Sequence, residues 1–216
     1  MTLESLAVVV AVGPLDRAKS RLGPALDPGE RRALVLAMLD DVLRAVRGVH
    51  HGALIVVTPD EDVRPLAASH DAELLPDEGL GTNAAIITAI SSTTVETADG
   101  VLILQGDLPQ LRIEHVSAMQ QALAESKSPG ALLVPNDDGG TSALGLRPPS
   151  AMPTAFGPDS GAAHRRSAEV TDVPLRELPI AALSSDVDTI EDLKLVAQIA
   201  GPATTALLER LGVEAR

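Results

Sequence analysis

The segment that most constrains this chain is a run of four aliphatic residues, Val101 to Leu104, followed by Gln105-Gly106-Asp107-Leu108-Pro109. An unbroken apolar run of this length is typical of a strand covered on both faces, as in a parallel sheet. Gly106 and Pro109 then end the strand. In open α/β sheets, ligands bind beyond the carboxyl ends of the strands. We therefore predict Asp107 at a ligand site, where a carboxylate suits a divalent metal and its phosphates.

A second acidic cluster, Asp186-Val187-Asp188-Thr189, is predicted in a similar strand-to-helix junction. Mg²⁺ in proteins prefers a few carboxylates together with substrate phosphates. The two clusters together indicate one metal site, although Asp107 alone is equally compatible with a turn or a helix cap. Helix capping is also an alternative for the second cluster, because Asp192 follows Thr189 by three residues. Both interpretations of that cluster can hold together.

Strands and helices are predicted to alternate through the first 125 residues, which indicates a mostly parallel α/β sheet. Asp27-Pro28-Gly29-Glu30 is typical of a helix start. Two strand-like runs near 131–135 and 142–147 flank Asn136-Asp137-Asp138-Gly139-Gly140, which predicts a β-hairpin and suggests an inserted lobe. Without an internal repeat or a long linker, residues 1–216 are expected to form one domain.

Composition excludes several classes of function. The chain has 216 residues, a net charge of −13, no Cys, no Trp or Tyr and a single Phe. Disulfides, thiol catalysis and cysteine-ligated metals are excluded, and the negative charge disfavours a nucleic-acid binder. No apolar run reaches the length of a membrane span and no signal peptide is apparent, so we expect a cytoplasmic protein without membrane partners.

The few basic residues are concentrated in two places. Arg17, Lys19 and Arg21 follow the first predicted strand, and His164, Arg165 and Arg166 form a second group. The first loop has neither Walker nor G-x-G-x-x-G spacing. In so acidic a chain we still favour phosphate binding there over a merely solvated surface.

Two further segments could bind a ligand, but each also has a purely structural interpretation. Gly157-Pro158-Asp159-Ser160-Gly161 opens a predicted helix, and helix N-termini bind anions, but on spacing alone an ordinary capped helix is favoured. Thr141, after the Gly139-Gly140 turn, is equally compatible with a simple hairpin residue. Neither a zinc site nor a Ser-His-Asp triad can be derived from the spacing.

Four segments together resemble one family, the phosphoenolpyruvate or 2-phospholactate guanylyltransferases of deazaflavin cofactor biosynthesis. They are Ala18-Lys19-Ser20-Arg21-Leu22, Gln105-Gly106-Asp107-Leu108-Pro109, Phe156-Gly157-Pro158-Asp159-Ser160 and Asp186-Val187-Asp188-Thr189. The segment that begins at Phe156, continued by Ala163 to Ser167, is the most specific. The resemblance spans most of the chain and implies a nucleotide-diphospho-sugar-transferase (GT-A-like) fold that transfers GMP from GTP.

The resemblance also implies a set of site residues. The metal-binding aspartates of the family correspond to Asp107, Asp186 and Asp188, with Mg²⁺ as the expected ion. Its phosphoenolpyruvate contacts correspond to Thr141, Gly157 and Ser160.

For the nucleotide, the resemblance implies that Lys19 and Arg21 contact the GTP phosphates and, with Asp107, carry catalysis. Gly81, Thr82 and Asn83 would lie near the guanosine. The chain departs from the family at Gly13, a nucleotide-loop position where relatives often carry Lys, and Arg17 is expected to compensate.

The acceptor remains open between phosphoenolpyruvate, which we favour, 2-phospholactate and 3-phosphoglycerate. Within enzymes, the alternative is another metal-dependent nucleotidyl- or glycosyltransferase of the same fold. Outside enzymes, it is a non-catalytic nucleotide-binding module. A homodimer is compatible with this fold class.

Overall fold

The computed structural model describes residues 4–213 and is built around one seven-stranded sheet in the order β3-β2-β1-β4-β6-β5-β7. The strands are β1 (Leu6–Ala11), β2 (Leu54–Thr58), β3 (Glu73–Pro76), β4 (Gly100–Gln105), β5 (Gly130–Pro135), β6 (Thr141–Arg147) and β7 (Leu175–Glu177). The helices are α1 (Pro28–Arg47), α2 (Arg64–Ser69), α3 (Thr82–Ile90), α4 (Thr93–Glu96), α5 (Ile113–Ala124), α6 (Ser160–Thr171), α7 (Ile190–Val196) and α8 (Pro202–Arg210), with 3₁₀ turns at Ser20–Leu22, Glu61–Val63 and Ala181–Leu183.

Helices cover both faces of this sheet, which confirms the predicted α/β class. In β1, Val9 pairs in register with Ile55 of β2 and Ile103 of β4, and all three belong to one core on one face of the sheet. The neighbouring Val8 and Val10 belong to the core on the opposite face. Alternate residues of a strand point to opposite faces, so a continuous apolar run is what a sheet covered on both sides requires.

The predicted hairpin forms, but it does not make a separate lobe. β6 pairs antiparallel with both β5 and β4, so the hairpin lies within the main sheet. All seven residues of β6 are buried, because the strand has paired neighbours on both edges. The sheet is therefore mostly parallel, with β6 antiparallel to its neighbours.

Two predicted helix starts are confirmed as capping boxes, at Asp27 with Glu30 and at Thr189 with Asp192. The prediction that Asp186 and Asp188 follow a strand is wrong. They lie in a loop after the 3₁₀ turn Ala181–Leu183, beyond the short strand β7, which sequence patterning missed. With only three residues, none of them buried, β7 has no hydrophobic pattern to detect.

Gly106 positions Asp107 at the end of β4. A Cβ atom on Gly106 would lie 2.6 Å from the Val12 side chain, and its amide donates to the Ala11 carbonyl at 2.9 Å. A side chain at this position would push β1 and β4 apart. The glycine is therefore required for close packing, a reason beyond the strand termination that its position in the sequence suggested.

Within residues 4–213, no helix combines the length and the apolar character needed to span a bilayer.

Asp41 of α1 anchors α8 and provides a test of the fold. Its carboxylate, 3% exposed, accepts hydrogen bonds from the amides of Ala203 and Thr204, both at 2.9 Å. Asp41→Ala is expected to lower the free energy of unfolding by about 2 kcal/mol, because it leaves buried helix-start amides unpaired. Asp41→Asn, which keeps one acceptor oxygen, should lose less. Equal stability of wild type and Asp41→Ala in urea titrations would contradict this role.

Candidate active site

Lys19 joins three distant segments at the carboxyl edge of the sheet. Its ammonium nitrogen lies 2.6 Å from Asp107 Oδ2 and 3.4 Å from Asp188 Oδ1. The Lys19 side chain is 6% exposed and its backbone is left-handed, with φ of 52°. That conformation costs a non-glycine residue on the order of 1 kcal/mol, and such outliers cluster at functional sites. Arg21 Nη1 lies 3.2 Å from Asp188 Oδ2 on the exposed side.

The charges of this group stabilise one another. Burial alone would lower the pKa of Lys19, but the charges of Asp107 and Asp188 and their hydrogen bonds outweigh it, so its pKa is raised. The Lys19 ammonium in turn lowers the pKa of Asp107 against the opposing effect of burial. The ion pair is therefore fully charged near neutral pH.

Asp186 is in a different electrostatic position. Burial, followed by the negative charge of Asp107, raises its pKa, although a hydrogen bond from Asn136 Nδ2 at 3.1 Å and the charge of Lys19 oppose the shift. Asp186 therefore lies near the ion pair but makes its hydrogen bond to the β5–β6 turn instead of to Lys19.

The predicted three-carboxylate metal site is only partly assembled. In the described part of the chain, no group of three Asp, Glu, His or Cys side chains lies close enough together to hold a metal ion. Asp107 and Asp188 nevertheless converge on a single cation, the Lys19 ammonium. Carboxylate oxygens that already share one cation are suitable ligands for Mg²⁺, so the residues present fit such an ion once Lys19 moves or shares the carboxylates.

A cleft with a volume of about 290 Å³ opens beside the ion pair. It is lined by Ala11, Val12, Gly13, Pro14, Arg17, Ala18, Lys19, Val35, Thr82, Gln105, Gly106, Asp107 and Asp188. The structure thus brings together Gly13, the basic loop, the start of α3 and two of the predicted metal ligands. Arg17, expected to compensate for the lysine absent at Gly13, has a side chain that is 84% exposed, and its Nε atom lies 4.0 Å from Asp16 Oδ2.

The Gly81-Thr82-Asn83 segment begins α3 at the cleft, and Gly81 adopts a φ of 107° that favours glycine. The Asn83 side-chain oxygen accepts hydrogen bonds from Thr154 Oγ1 and from the Phe156 amide, both at 3.0 Å. That oxygen therefore holds the 154–156 loop in place.

A second polar group is formed by Thr141, Ser160 and His164. Ser160 Oγ and Thr141 Oγ1 are 3.1 Å apart, and Thr141 Oγ1 is 3.0 Å from His164 Nδ1. All three residues are at most 5% exposed. Two predicted acceptor contacts, Thr141 and Ser160, are thus brought together. His164 was predicted as part of a basic cluster, but burial lowers its pKa to about 4, so it is neutral.

The start of α6 is not a free anion site formed by several amides. The Ser160 amide donates to the Gly157 carbonyl at 3.2 Å, and the Gly161 amide donates to the Gly139 carbonyl at 2.9 Å. Gly157 has a φ of 135° and open space where a side chain would lie. The second predicted basic cluster does not assemble, because Arg165 forms two hydrogen bonds of 2.8 Å to Glu177.

Sequence reasoning missed Asn136 and the role of His164. Asn136 begins the hairpin turn, where its side chain bonds both the Gly140 amide and Asp186. The spacing of Ser160 and His164, four residues apart on a predicted helix, would have placed both on one face. No sequence spacing could have identified the role of Asn136, because its partner Asp186 is 50 residues away.

Comparison with known proteins identifies the family. The family model described as "Guanylyl transferase CofC like" matches residues 6–215 of this chain. The chain belongs to this guanylyl transferase family. It is accordingly a nucleotidyltransferase, and the resemblance seen in its motifs is confirmed.

Two relatives show how the family varies. The phosphoenolpyruvate guanylyltransferase of Sphaerobacter thermophilus is 40% identical over 191 residues, which cover 88% of this chain and 91% of that protein. The 3-phospho-D-glycerate guanylyltransferase of Colwellia psychrerythraea is 30% identical over 203 residues, covering 93% and 95% of the two chains. Family members of similar length therefore carry names with different acceptors.

Solved structures confirm the fold. A protein from Desulfovibrio desulfuricans, described as a candidate nucleotide-diphospho-sugar transferase, superposes with a TM-score of 0.79 at 19% identity, covering 99% of this chain and 97% of that one. Glucosyl-3-phosphoglycerate synthase from Mycobacterium tuberculosis, in complex with Mn²⁺ and uridine diphosphate, superposes with a TM-score of 0.57 at 13% identity, covering 96% of this chain and 80% of that one. At these identities the likeness concerns the fold alone.

Because His164 is buried and neutral, we expect the stability of the protein to depend on pH. Its pKa falls from about 6.5 in the unfolded chain to about 4 in the fold, so the unfolded state binds the extra proton between those values. Its contribution to stability is complete above pH 6.5 and is lost as the pH falls toward 4. When the pH falls from 7 to 5, the loss of this contribution should lower the free energy of unfolding by about 2 kcal/mol.

Urea titrations of wild type and His164→Gln at both pH values isolate this effect, because glutamine does not titrate. The loss between pH 7 and pH 5 should be smaller in the variant. The same loss in both proteins would show that His164 is not held neutral.

Proposed function

We propose that this protein transfers GMP from GTP to the phosphate of a small phospho-carboxylic acid and releases pyrophosphate. Phosphoenolpyruvate is the favoured acceptor and 2-phospho-L-lactate the next. The resemblance to the deazaflavin guanylyltransferases supports a place in the biosynthesis of that cofactor, in the cytoplasm. We further propose that residues 1–216 form one domain, and a homodimer is compatible with that arrangement.

One observation carries this proposal. The hairpin turn 136–140 bonds two neighbouring parts of the site: the loop that carries Asp186 and Asp188, and the start of α6, which carries Ser160. Asn136 donates to Asp186 beside the carboxylates, and the Gly139 carbonyl accepts from Gly161 beside Ser160. A transferase that joins two phosphorylated substrates needs two such neighbouring subsites.

The chemistry needs little beyond positioning and charge neutralisation. A phosphate oxygen of the acceptor attacks the α-phosphorus of GTP, the bond from that phosphorus to the bridging oxygen breaks, and pyrophosphate leaves. The nucleophile is already ionised near neutral pH, so no general base is required. This agrees with the neutral, inward-facing His164. Lys19, Arg21 and Arg17 would neutralise the charge of the triphosphate and of the departing pyrophosphate.

Mg²⁺ is the proposed cofactor. Asp107 and Asp188 would hold it, with Asp186 as a third carboxylate, and it would supply electrostatic stabilisation of the phosphates. The Mn²⁺ complex of the structural relative from Mycobacterium tuberculosis supports a divalent cation in this fold. Gly13, Gly81, Thr82 and Asn83 are proposed to contact the nucleotide, and Thr141, Gly157 and Ser160 the acceptor.

The name of one relative also supports 3-phosphoglycerate as a candidate acceptor. The relative from Colwellia psychrerythraea, 30% identical over nearly the whole chain, is named for it. Phosphoenolpyruvate ranks higher because the relative from Sphaerobacter thermophilus is 40% identical.

Pyrophosphate release tests the function. The protein is incubated with GTP, Mg²⁺ and, in separate reactions, phosphoenolpyruvate, 2-phospholactate or 3-phosphoglycerate, with ATP in place of GTP as the control. Release that needs GTP and is fastest with phosphoenolpyruvate is expected. Release only in a parallel reaction with a sugar phosphate as the acceptor would favour another transferase of this fold. GTP binding without release from any acceptor would favour a non-catalytic module.

Asp107→Asn tests the central carboxylate. It is expected to lower kcat at least about 100-fold while the protein stays folded, because the site loses a charge aimed at both Lys19 and the metal. The matched control is Asp172→Asn, which removes the same charge from an exposed position after α6 whose φ of 53° asparagine also tolerates. Unchanged turnover by a folded Asp107→Asn variant would contradict the assignment.

A further inference from the structure

We propose that His164 is a positioning residue for the acceptor substrate: it fixes the hydrogen-bond direction of the Thr141–Ser160 pair so that one hydroxyl must donate to the bound ligand. This inference rests on the proposed function and extends it, since it states which kind of ligand atom this subsite recognises. His164 itself is expected to touch neither substrate.

The tautomer of His164 follows from its backbone partner. The Ala155 amide can only donate, and it lies 3.0 Å from Nε2, so Nε2 is the unprotonated nitrogen. In the neutral ring Nδ1 then carries the hydrogen, and it donates to Thr141 Oγ1 at 3.0 Å. The low pKa of the ring, about 4, agrees with this neutral form.

The hydroxyl hydrogens can then be counted. Thr141 and Ser160 together carry two, and only one can lie in the 3.1 Å contact between their oxygens. Thr141 Oγ1 cannot donate to Nδ1, because Nδ1 is already a donor. The second hydrogen therefore has no acceptor among residues 4–213, whichever of the two hydroxyls carries it. Both side chains are buried, at 5% and 2% exposure, which makes an unpaired hydroxyl unfavourable until a ligand arrives.

The expected ligand atom is a hydrogen-bond acceptor, such as a carboxylate or phosphate oxygen. A group that can only donate would face the spare hydrogen and be rejected. The nearby Ser160 and Gly161 amides already donate to carbonyl groups, so the hydroxyl pair becomes an important donor at this helix start. A directed hydroxyl pair thus replaces the free amides that usually bind anions there.

The surroundings hold the His164 ring in this orientation. Phe156 packs edge-on against it, with ring centroids 4.8 Å apart, and His164 has no exposed surface. The Phe156 amide is fixed in turn by Asn83. Phe156 thus supports the ring from a position four residues before Ser160 and eight before His164.

The test compares His164→Leu with His164→Gln. Leucine removes both hydrogen bonds, whereas the glutamine amide can donate to Thr141 and accept from Ala155. His164→Leu is expected to raise the acceptor KM about tenfold, with the GTP KM and kcat changed less than about twofold. His164→Gln should recover most of the loss. The control His115→Gln, on α5, should leave all three constants unchanged.

A double-mutant cycle separates positioning from a general structural effect. Thr141→Val removes the hydroxyl through which His164 acts, so adding His164→Leu to Thr141→Val should not weaken acceptor binding further. Calorimetric binding of phosphoenolpyruvate without GTP provides the same comparison independently of turnover. Additive losses, or equal losses for GTP and acceptor, would overturn the proposal.

The outcomes distinguish an error about His164 from an error about the function. If the wild-type protein turns over but the effects of Thr141 and His164 are additive, only the role of His164 is wrong. If the wild-type protein neither binds nor uses any of the three acceptors, both the proposed function and this inference are wrong. If His164→Leu does not fold, His164→Phe takes its place in the cycle with Thr141→Val, because phenylalanine keeps an aromatic ring beside Phe156 but removes both hydrogen bonds of His164.

Discussion

The buried ion pair of Lys19 with Asp107 and Asp188 is the interaction on which the arrangement of this site depends. It ties the loop after β1 to the end of β4 and to the loop before α7, segments separated by 88 and 169 residues from Lys19. Without a cation between them, two carboxylates at this edge would repel each other, and burial together with the negative charge of Asp107 already raises the pKa of the neighbouring Asp186. A protein of net charge −13 thus places one of its few lysines where phosphates and a divalent ion are expected to bind.

The β5–β6 turn connects the carboxylate group with the second subsite, the Thr141–Ser160 pair. Asn136 bonds Asp186, Asp137 and Ser184 bond each other through backbone and side chain, and the Gly139 carbonyl receives the Gly161 amide. Because β6 pairs with both β4 and β5, the turn between β5 and β6 is attached to the main sheet. The hairpin thus connects the loop that carries Asp186 and Asp188 with the start of α6, which carries Ser160.

The central strand, the position of Asp107 and two helix starts could be predicted from the sequence. The apolar run Val101 to Leu104 is typical of a strand covered on both faces, and this predicted Asp107 at the carboxyl edge of the sheet, where ligands bind in folds of this class. The capping boxes at Asp27 and Thr189 each join residues three positions apart, so they can be predicted from the local sequence. The pairing of β6 with β4, the strand β7 and the bond between Asn136 and Asp186 depend on contacts distant in sequence, and no local pattern encodes them. His164 was misread because a histidine beside two arginines suggests charge, whereas its burial makes it neutral.

The most direct test of the central claim is to identify the product by ³¹P NMR. GTP, phosphoenolpyruvate, Mg²⁺ and the protein are combined, and the spectrum is followed with time. The account predicts two mutually coupled resonances from a new diphosphate linkage between GMP and the acceptor, appearing together with pyrophosphate. Spectra that show only unchanged GTP, or GTP hydrolysed to GMP or GDP with the acceptor left intact, would contradict it if the same result is obtained when 2-phospholactate or 3-phosphoglycerate replaces phosphoenolpyruvate.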